Sequence, residues 1–150
     1  MRKAFVIVST LLLVSFVLQF VFAAVGAFTK PAGDGAYALH SVNGMAVIPV
    51  LTLLTTLFAA LARAPGRLVG LAILPIGLVV VQALIAMLAN GSTDAAGAST
   101  PFGLTIAGLH AIIGIVAVHV AVGVAQAARK LSRPAPAGAT PVPVRAGEPA

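Results

Sequence analysis

The residues of this chain whose types and spacing can do chemistry are imidazoles and carboxamides set in apolar surroundings. Gln19, His40, Asn43, Gln82, His110 and His119 fall inside long uncharged stretches, where a polar group costs free energy unless it finds a partner. His40 sits in Leu39-His40-Ser-Val-Asn43-Gly44 and His110 in Leu109-His110-Ala-Ile-Ile-Gly114. Both read Leu-His-x-x-x-Gly, and each follows a stretch carrying one Gln, Gln19 or Gln82. A neutral imidazole offers one lone pair to a metal while its second nitrogen donates a hydrogen bond. Two such rings on facing helices form the axial ligand set of a b-type haem, one on each face of the iron. Glycine at i+4 lies about 40° from the histidine and one turn along the same face. Gly44 and Gly114 would therefore clear space for the flat macrocycle. Gln19, Asn43, Gln82 or a backbone carbonyl would receive the second N–H of each ring, and Met45 and Met87 are alternative axial ligands. His119 is nine residues past His110, half a turn out of phase and about 13 Å deeper, so it stands apart from this group. The repeat sets Pro49 opposite it, leaving no second histidine pair.

Plain readings stand beside these. His40 lies close to a helix start, where its polar edge would be hydrated at a membrane interface. His110 would be served by a hydrogen bond to Gln82 or Gln19 on a neighbouring helix. His119 reads as structural, bonded to a neighbouring helix. Methionine is common in apolar helices for packing alone.

The elements that must position these residues are membrane spans. Of 150 residues, 60% are hydrophobic and 8% charged, and the mean hydropathy is +1.11. A soluble domain carries roughly 25% charged residues, so a water-soluble enzyme, a DNA-binding module and a disordered chain are all excluded. Crossing ~30 Å of hydrocarbon takes about 20 apolar residues at 1.5 Å each. Four stretches qualify, at about 4–28, 36–62, 68–89 and 102–128, none containing Asp, Glu, Lys or Arg. The expected fold is an all-α, four-span membrane bundle over residues 1–131, built as two duplicated helix hairpins. A Pro/Ala-rich tail, 132–150, should be disordered, since it cannot form a core. Pro49 and Pro75 should kink their spans, and Thr100 with Pro101 should cap the fourth. Gly66, Gly70, Gly103, Gly108, Gly114 and Gly123 should let helices approach closely.

Charge fixes the orientation. Arg2, Lys3, Arg63, Arg67, Arg129, Lys130, Arg133 and Arg145, eight of the nine basic residues, fall on one side if both termini are cytoplasmic. Basic residues in this placement report topology in a cell membrane rather than a nucleic-acid partner. The start, Met-Arg-Lys before an apolar run, has the look of a signal peptide, but the run far exceeds the usual 7–15 residues, so a retained span is expected. Gln19, His40, Gln82 and His110 then lie about 4–13 Å below the outer end and form one layer. The absence of cysteine removes disulfides and thiolate ligands.

The His-bearing hairpins, with Leu39-His40…Gly44, Gln82 and Leu109-His110…Gly114, resemble small bacterial four-span proteins of unknown function over about residues 1–130. More distantly they resemble the four-helix haem-binding halves of haem A synthase and the b-type cytochromes of the b561 kind. Those proteins have more histidines, so the resemblance implies at most one haem here, on His40 and His110. Neither enzyme's activity carries over. No nucleophile, base and orienting group stand together, so hydrolase chemistry is not expected. Charge-free spans likewise speak against an ion-coupled transporter. Two functions remain: electron transfer or haem handling at the outer half of the bundle, or a structural or assembly role in a larger membrane complex or homo-oligomer.

Overall fold

A computed structural model describes residues 1–31, 33 and 35–134. Four long helices make up the chain: α1 (Arg2–Phe28), α2 (Ala38–Leu61), α3 (Gly66–Asn90) and α4 (Pro101–Ser132). All four are long and apolar enough to cross a membrane, and the described residues contain no strand beyond one isolated bridge between Thr93 and Ser99. This is the expected all-α, multi-pass architecture. The tail residues 135–150, expected to be disordered, lie outside the described part.

Local sequence sets the helix ends. At the close of α2, Arg63 takes a left-handed φ of 56°. Its N–H reaches Ala60 O at 2.9 Å and that of Ala64 reaches Ala59 O at 3.0 Å, the bond pattern of a Schellman cap. Pro65 follows and α3 begins. Thr100 caps α4 as expected, its hydroxyl oxygen accepting the Gly103 N–H at 3.1 Å, with Pro101 in the first turn. The same hydroxyl donates to Ser92 O at 2.8 Å, tying the cap to the preceding loop. α4 runs four residues past the expected 128 because Arg129 and Lys130 complement its C-terminal dipole. It stops where Arg133, held extended with ψ 139°, precedes Pro134.

The helices pack in a ring, α1 against α2, α2 against α3, α3 against α4 and α4 against α1. α2 and α4 therefore face each other across the axis. Connected by short turns, the helices alternate in direction, which gathers Arg2, Lys3, Arg63, Arg67, Arg129, Lys130 and Arg133 at one end, called here the basic end. The core is built of small residues. Near the basic end Phe5 fills a space walled by Ala59, Ala62, Ala72, Val124 and Ala128. Further along, Leu12, Phe16 and Ile48 meet Ala117 and Ala121. Alanine at these positions brings backbones close, while most large Leu, Val and Ile side chains point outward, as lipid allows.

The backbone of α2 departs from a regular α-helix. Asn43–Val47 form a π-helical turn just before Pro49. Proline has no N–H and its ring clashes with the carbonyl four residues back, and a wider turn resolves both problems by taking up one more residue. The count is visible in the repeat. His40 and His110, and Gly44 and Gly114, are 70 residues apart. Beyond the π turn the buried pairs are Ile48/Ala117, Thr52/Ala121, Thr55/Val124 and Ala59/Ala128, all 69 apart. On the other two helices Ser9/Ala72, Leu12/Pro75 and Gln19/Gln82 are 63 apart, the first two pairs buried. The two hairpins thus repeat through their buried positions, with one residue inserted in α2.

Two expectations are corrected. The π turn moves Pro49 opposite Val118 rather than His119. Gly66, Gly70, Gly108 and Gly123 are not close-contact sites, since a Cβ there would meet nothing within 4 Å. Crowding occurs instead at Gly103 and Gly114, as expected, and at Gly26 and Gly44.

Candidate functional site

Each hairpin is closed by a reciprocal clasp between its glutamine and its histidine. Between α1 and α2, Gln19 Nε2 donates to the His40 carbonyl at 2.9 Å, and His40 Nδ1 lies 3.1 Å from the Gln19 carbonyl oxygen. Between α3 and α4, Gln82 Nε2 donates to the His110 carbonyl at 2.9 Å, and His110 Nδ1 lies 3.2 Å from the Gln82 carbonyl oxygen. A carbonyl oxygen only accepts, so Nδ1 carries a proton in both rings, and in the neutral imidazole Nε2 keeps its lone pair. Of the acceptors considered from sequence, the backbone carbonyls of Gln19 and Gln82 serve the rings. The side-chain amides return the bond to the other strand of the clasp.

The two rings meet across the axis, their centres 6.2 Å apart and their planes at 45°. They border one cavity of about 420 Å³ in the half of the bundle away from the basic end. Gln19, His40, Gly44, Gln82, His110 and Gly114 all line it, as do Met45 and Met87. Its remaining walls are largely apolar, with Phe16, Phe20, Leu78 and Val79 prominent. Among the described residues no Asp, Glu, Lys or Arg borders it, so its described lining is uncharged apart from two imidazoles.

Gly44 and Gly114 have a local duty besides the one expected of them. A Cβ on Gly44 would stand 2.7 Å from Gln19 Nε2, and one on Gly114 would stand 3.3 Å from Gln82 Nε2. Their missing side chains admit the glutamine amides of the clasps. Asn43 makes its hydrogen bonds to Ser15 and Gln19 rather than to either ring, and so braces the first clasp. Its Nδ2 donates to Gln19 Oε1 at 2.7 Å and to the Ser15 carbonyl at 2.9 Å, and its Oδ1 accepts the Ser15 hydroxyl at 2.7 Å. The repeat puts Ile113 where Asn43 stands, and Gln82 Oε1 is buried with no hydrogen-bond partner among the described residues. His119 is exposed and bonds to Ile115 O of its own helix at 2.9 Å, not to a neighbouring helix as expected.

Two contributors escaped the sequence reading. Ser15 lies one helical turn before Gln19 on the same face, a spacing that points to it. Tyr37 stands edge-on to His40, ring centres 6.3 Å apart at 83°, and packs on Gly26, where a Cβ would come within 2.6 Å of the Tyr37 ring. Its place three residues before His40 at a helix start is the available signal.

Residues 19–90 match the model of a family of unknown function (DUF6220). The match takes in Gln19, His40, Asn43, Gly44 and Gln82, and stops short of α4. No curated protein and no solved structure matches the chain, so the likeness to haem A synthase and the b561-kind cytochromes gains no support from known relatives.

Proposed function

We propose that this multi-pass membrane protein binds one b-type haem between His40 and His110 and uses it to pass electrons or to hold haem for a partner. The observation that carries this reading is the pairing of two imidazoles with anchored Nδ1–H groups and unclaimed Nε2 lone pairs on opposite walls of one apolar cavity. Two imidazoles sharing one metal through bonds of about 2.0–2.1 Å have ring centres about 6 Å apart, against the observed 6.2 Å. A bare ion asks for three or four protein ligands, whereas haem iron needs only the axial pair, the macrocycle supplying the rest. Among the described residues no group of three His, Asp or Glu side chains stands together, so the donor set suits haem better than a free cation. The volume of about 420 Å³ falls in the range of cofactor pockets.

When bound, haem would supply a one-electron couple. The chain's own residues would do the rest. The Gln19 and Gln82 carbonyls hold each ring's orientation and raise its basicity. Phe16, Phe20 and Leu78 keep water from the site. In this proposal the basic end faces the cytoplasm, as the distribution of basic residues favours, and the cavity lies towards the outer face.

Purified protein from haem-replete cells should show a Soret band and split reduced α/β bands. His110→Ala should abolish them and His119→Ala should leave them intact; exogenous imidazole should restore absorbance to His110→Gly. Equal loss from the His110 and His119 substitutions, or a colourless wild type that takes up no added haemin, overturns the reading.

A second reading draws on a different face. Gly108, His119 and Gly123 lie along one outward stripe of α4, all exposed, and although His119 Nδ1 bonds Ile115 O of its own helix, a polar ring set on a lipid-facing surface is costly. That stripe favours a role in which α4 packs against a helix of a larger membrane assembly. Loss of a co-purifying subunit on His119→Leu supports it; an unchanged monomer sinks it.

A further inference from the structure

We propose that the cavity is filled sideways from the hydrocarbon layer, through a slot between α2 and α3 flanked by Met45 and Met87, and that its ligand is a lipid-dissolved planar molecule. This rests on the cavity described above, and on the haem reading for one of its two tests.

The slot follows from how the helices are tied. At the end away from the basic residues, residues 29–37 join α1 to α2 and residues 91–100 join α3 to α4. α2 and α3 are joined only at the basic end, through residues 62–65. The polar bonds act in the same sense. Gln19, Asn43 and Ser15 draw the first turns of α2 towards α1, and Gln82 draws α3 towards α4. α3 accordingly makes most of its backbone contacts with α2 through Ile48–Leu61, while Ala38–Val42 and Asn43–Val47 lie mainly against α1. Among the described residues no hydrogen bond joins Ala38–Val47 to α3.

The side chains there are consistent with an opening. Met45 and Met87 both line the cavity, yet they are 64% and 71% exposed. Ser41, also in the lining, is exposed as well. Met45 lies seven residues into α2, about 10 Å from its start at 1.5 Å per residue, and so within a ~15 Å hydrocarbon leaflet. Methionine is unbranched and flexible, suited to flank a passage that a flat molecule must slide through. The guest is defined by the walls: apolar over most of its surface, planar, and presenting to the imidazole Nε2 atoms either a metal or hydroxyl donors.

The chain has no tryptophan, so single-Trp reporters test the slot without any cofactor. In bilayers of lipids brominated along the acyl chains, Phe16→Trp at the cavity wall should be quenched well above Phe5→Trp, which is sealed in the basic-end core. Leu57→Trp on the lipid face sets the upper limit. Quenching of the Phe16 reporter equal to that of the Phe5 reporter overturns the slot. In a second test haemin is added to protein in nanodiscs. Met45→Trp with Met87→Trp should slow the rise of the Soret band at least tenfold, with Val25→Trp as the unaffected control. An unchanged rate overturns the sideways route. If no variant, wild type included, develops a Soret band, the haem reading fails and the brominated lipids alone decide the slot.

Discussion

Asn43→Leu is the substitution that weighs the polar bracing of this bundle most directly. The two side chains are close in shape, so little cavity forms, and the change removes three hydrogen bonds, to Gln19 Oε1, to the Ser15 carbonyl and from the Ser15 hydroxyl. Interhelical bonds of this kind in a membrane are worth about 0.6 kcal/mol each, so their sum is about 2 kcal/mol. Ser15 can turn its hydroxyl to a carbonyl of its own helix, but Gln19 Oε1 would be left as a buried acceptor without a donor, adding about 1 kcal/mol. The expected loss is therefore about 2–3 kcal/mol, read as reversible unfolding in mixed micelles of mild detergent and dodecyl sulfate. Because Asn43 and Gln19 share one bond, the double variant with Gln19→Leu should lose less than the two single losses added. A loss below about 0.5 kcal/mol, or strict additivity, would refute the view that this network holds α2 to α1.

Ile113→Asn should place a donor beside the unpartnered Gln82 Oε1 and stabilise the second hairpin by about 1 kcal/mol in the same micelles; destabilisation would contradict the repeat register drawn between α2 and α4. Gly44→Ala should force the Gln19 amide aside and lose about 1–3 kcal/mol, whereas Gly70→Ala, with open space around it, should unfold at the wild-type detergent fraction. Thr100→Ala should weaken the start of α4 by about 1 kcal/mol, seen as faster amide exchange at Gly103, and unchanged exchange there would count against the cap.

The four spans, the hairpin repeat and the meeting of Gln19, His40, Gln82 and His110 were legible because uncharged length and polar placement are properties of the chain itself. The clasp was half legible. Sequence indicated that each imidazole needed an acceptor, but a backbone carbonyl leaves no signature in the sequence, so the glutamine side chains could not be told from their main chains. The contact of the glycines with the clasps was hidden for the same reason: Gly44 is bare towards Gln19, a neighbour fixed only by packing. The π turn was hidden because Pro49 predicts a disturbance without saying whether the helix bends or widens. Once one residue is absorbed there, every later position in α2 turns by about 100° relative to α4, which is why Pro49 and His119 part company. His119 shows the limit of reasoning from cost alone, for it meets its need within its own helix.

The clasps have a genetic corollary. Each imidazole is anchored to a peptide oxygen, and every amino acid brings one. Codon changes at positions 19 and 82 can strip away the amide that steadies the helix pair, yet they cannot delete the atom that dictates which ring nitrogen is protonated. Drift at these sites would loosen the joint gradually while preserving the tautomer. To switch it, a mutation would have to slide one helix along the other.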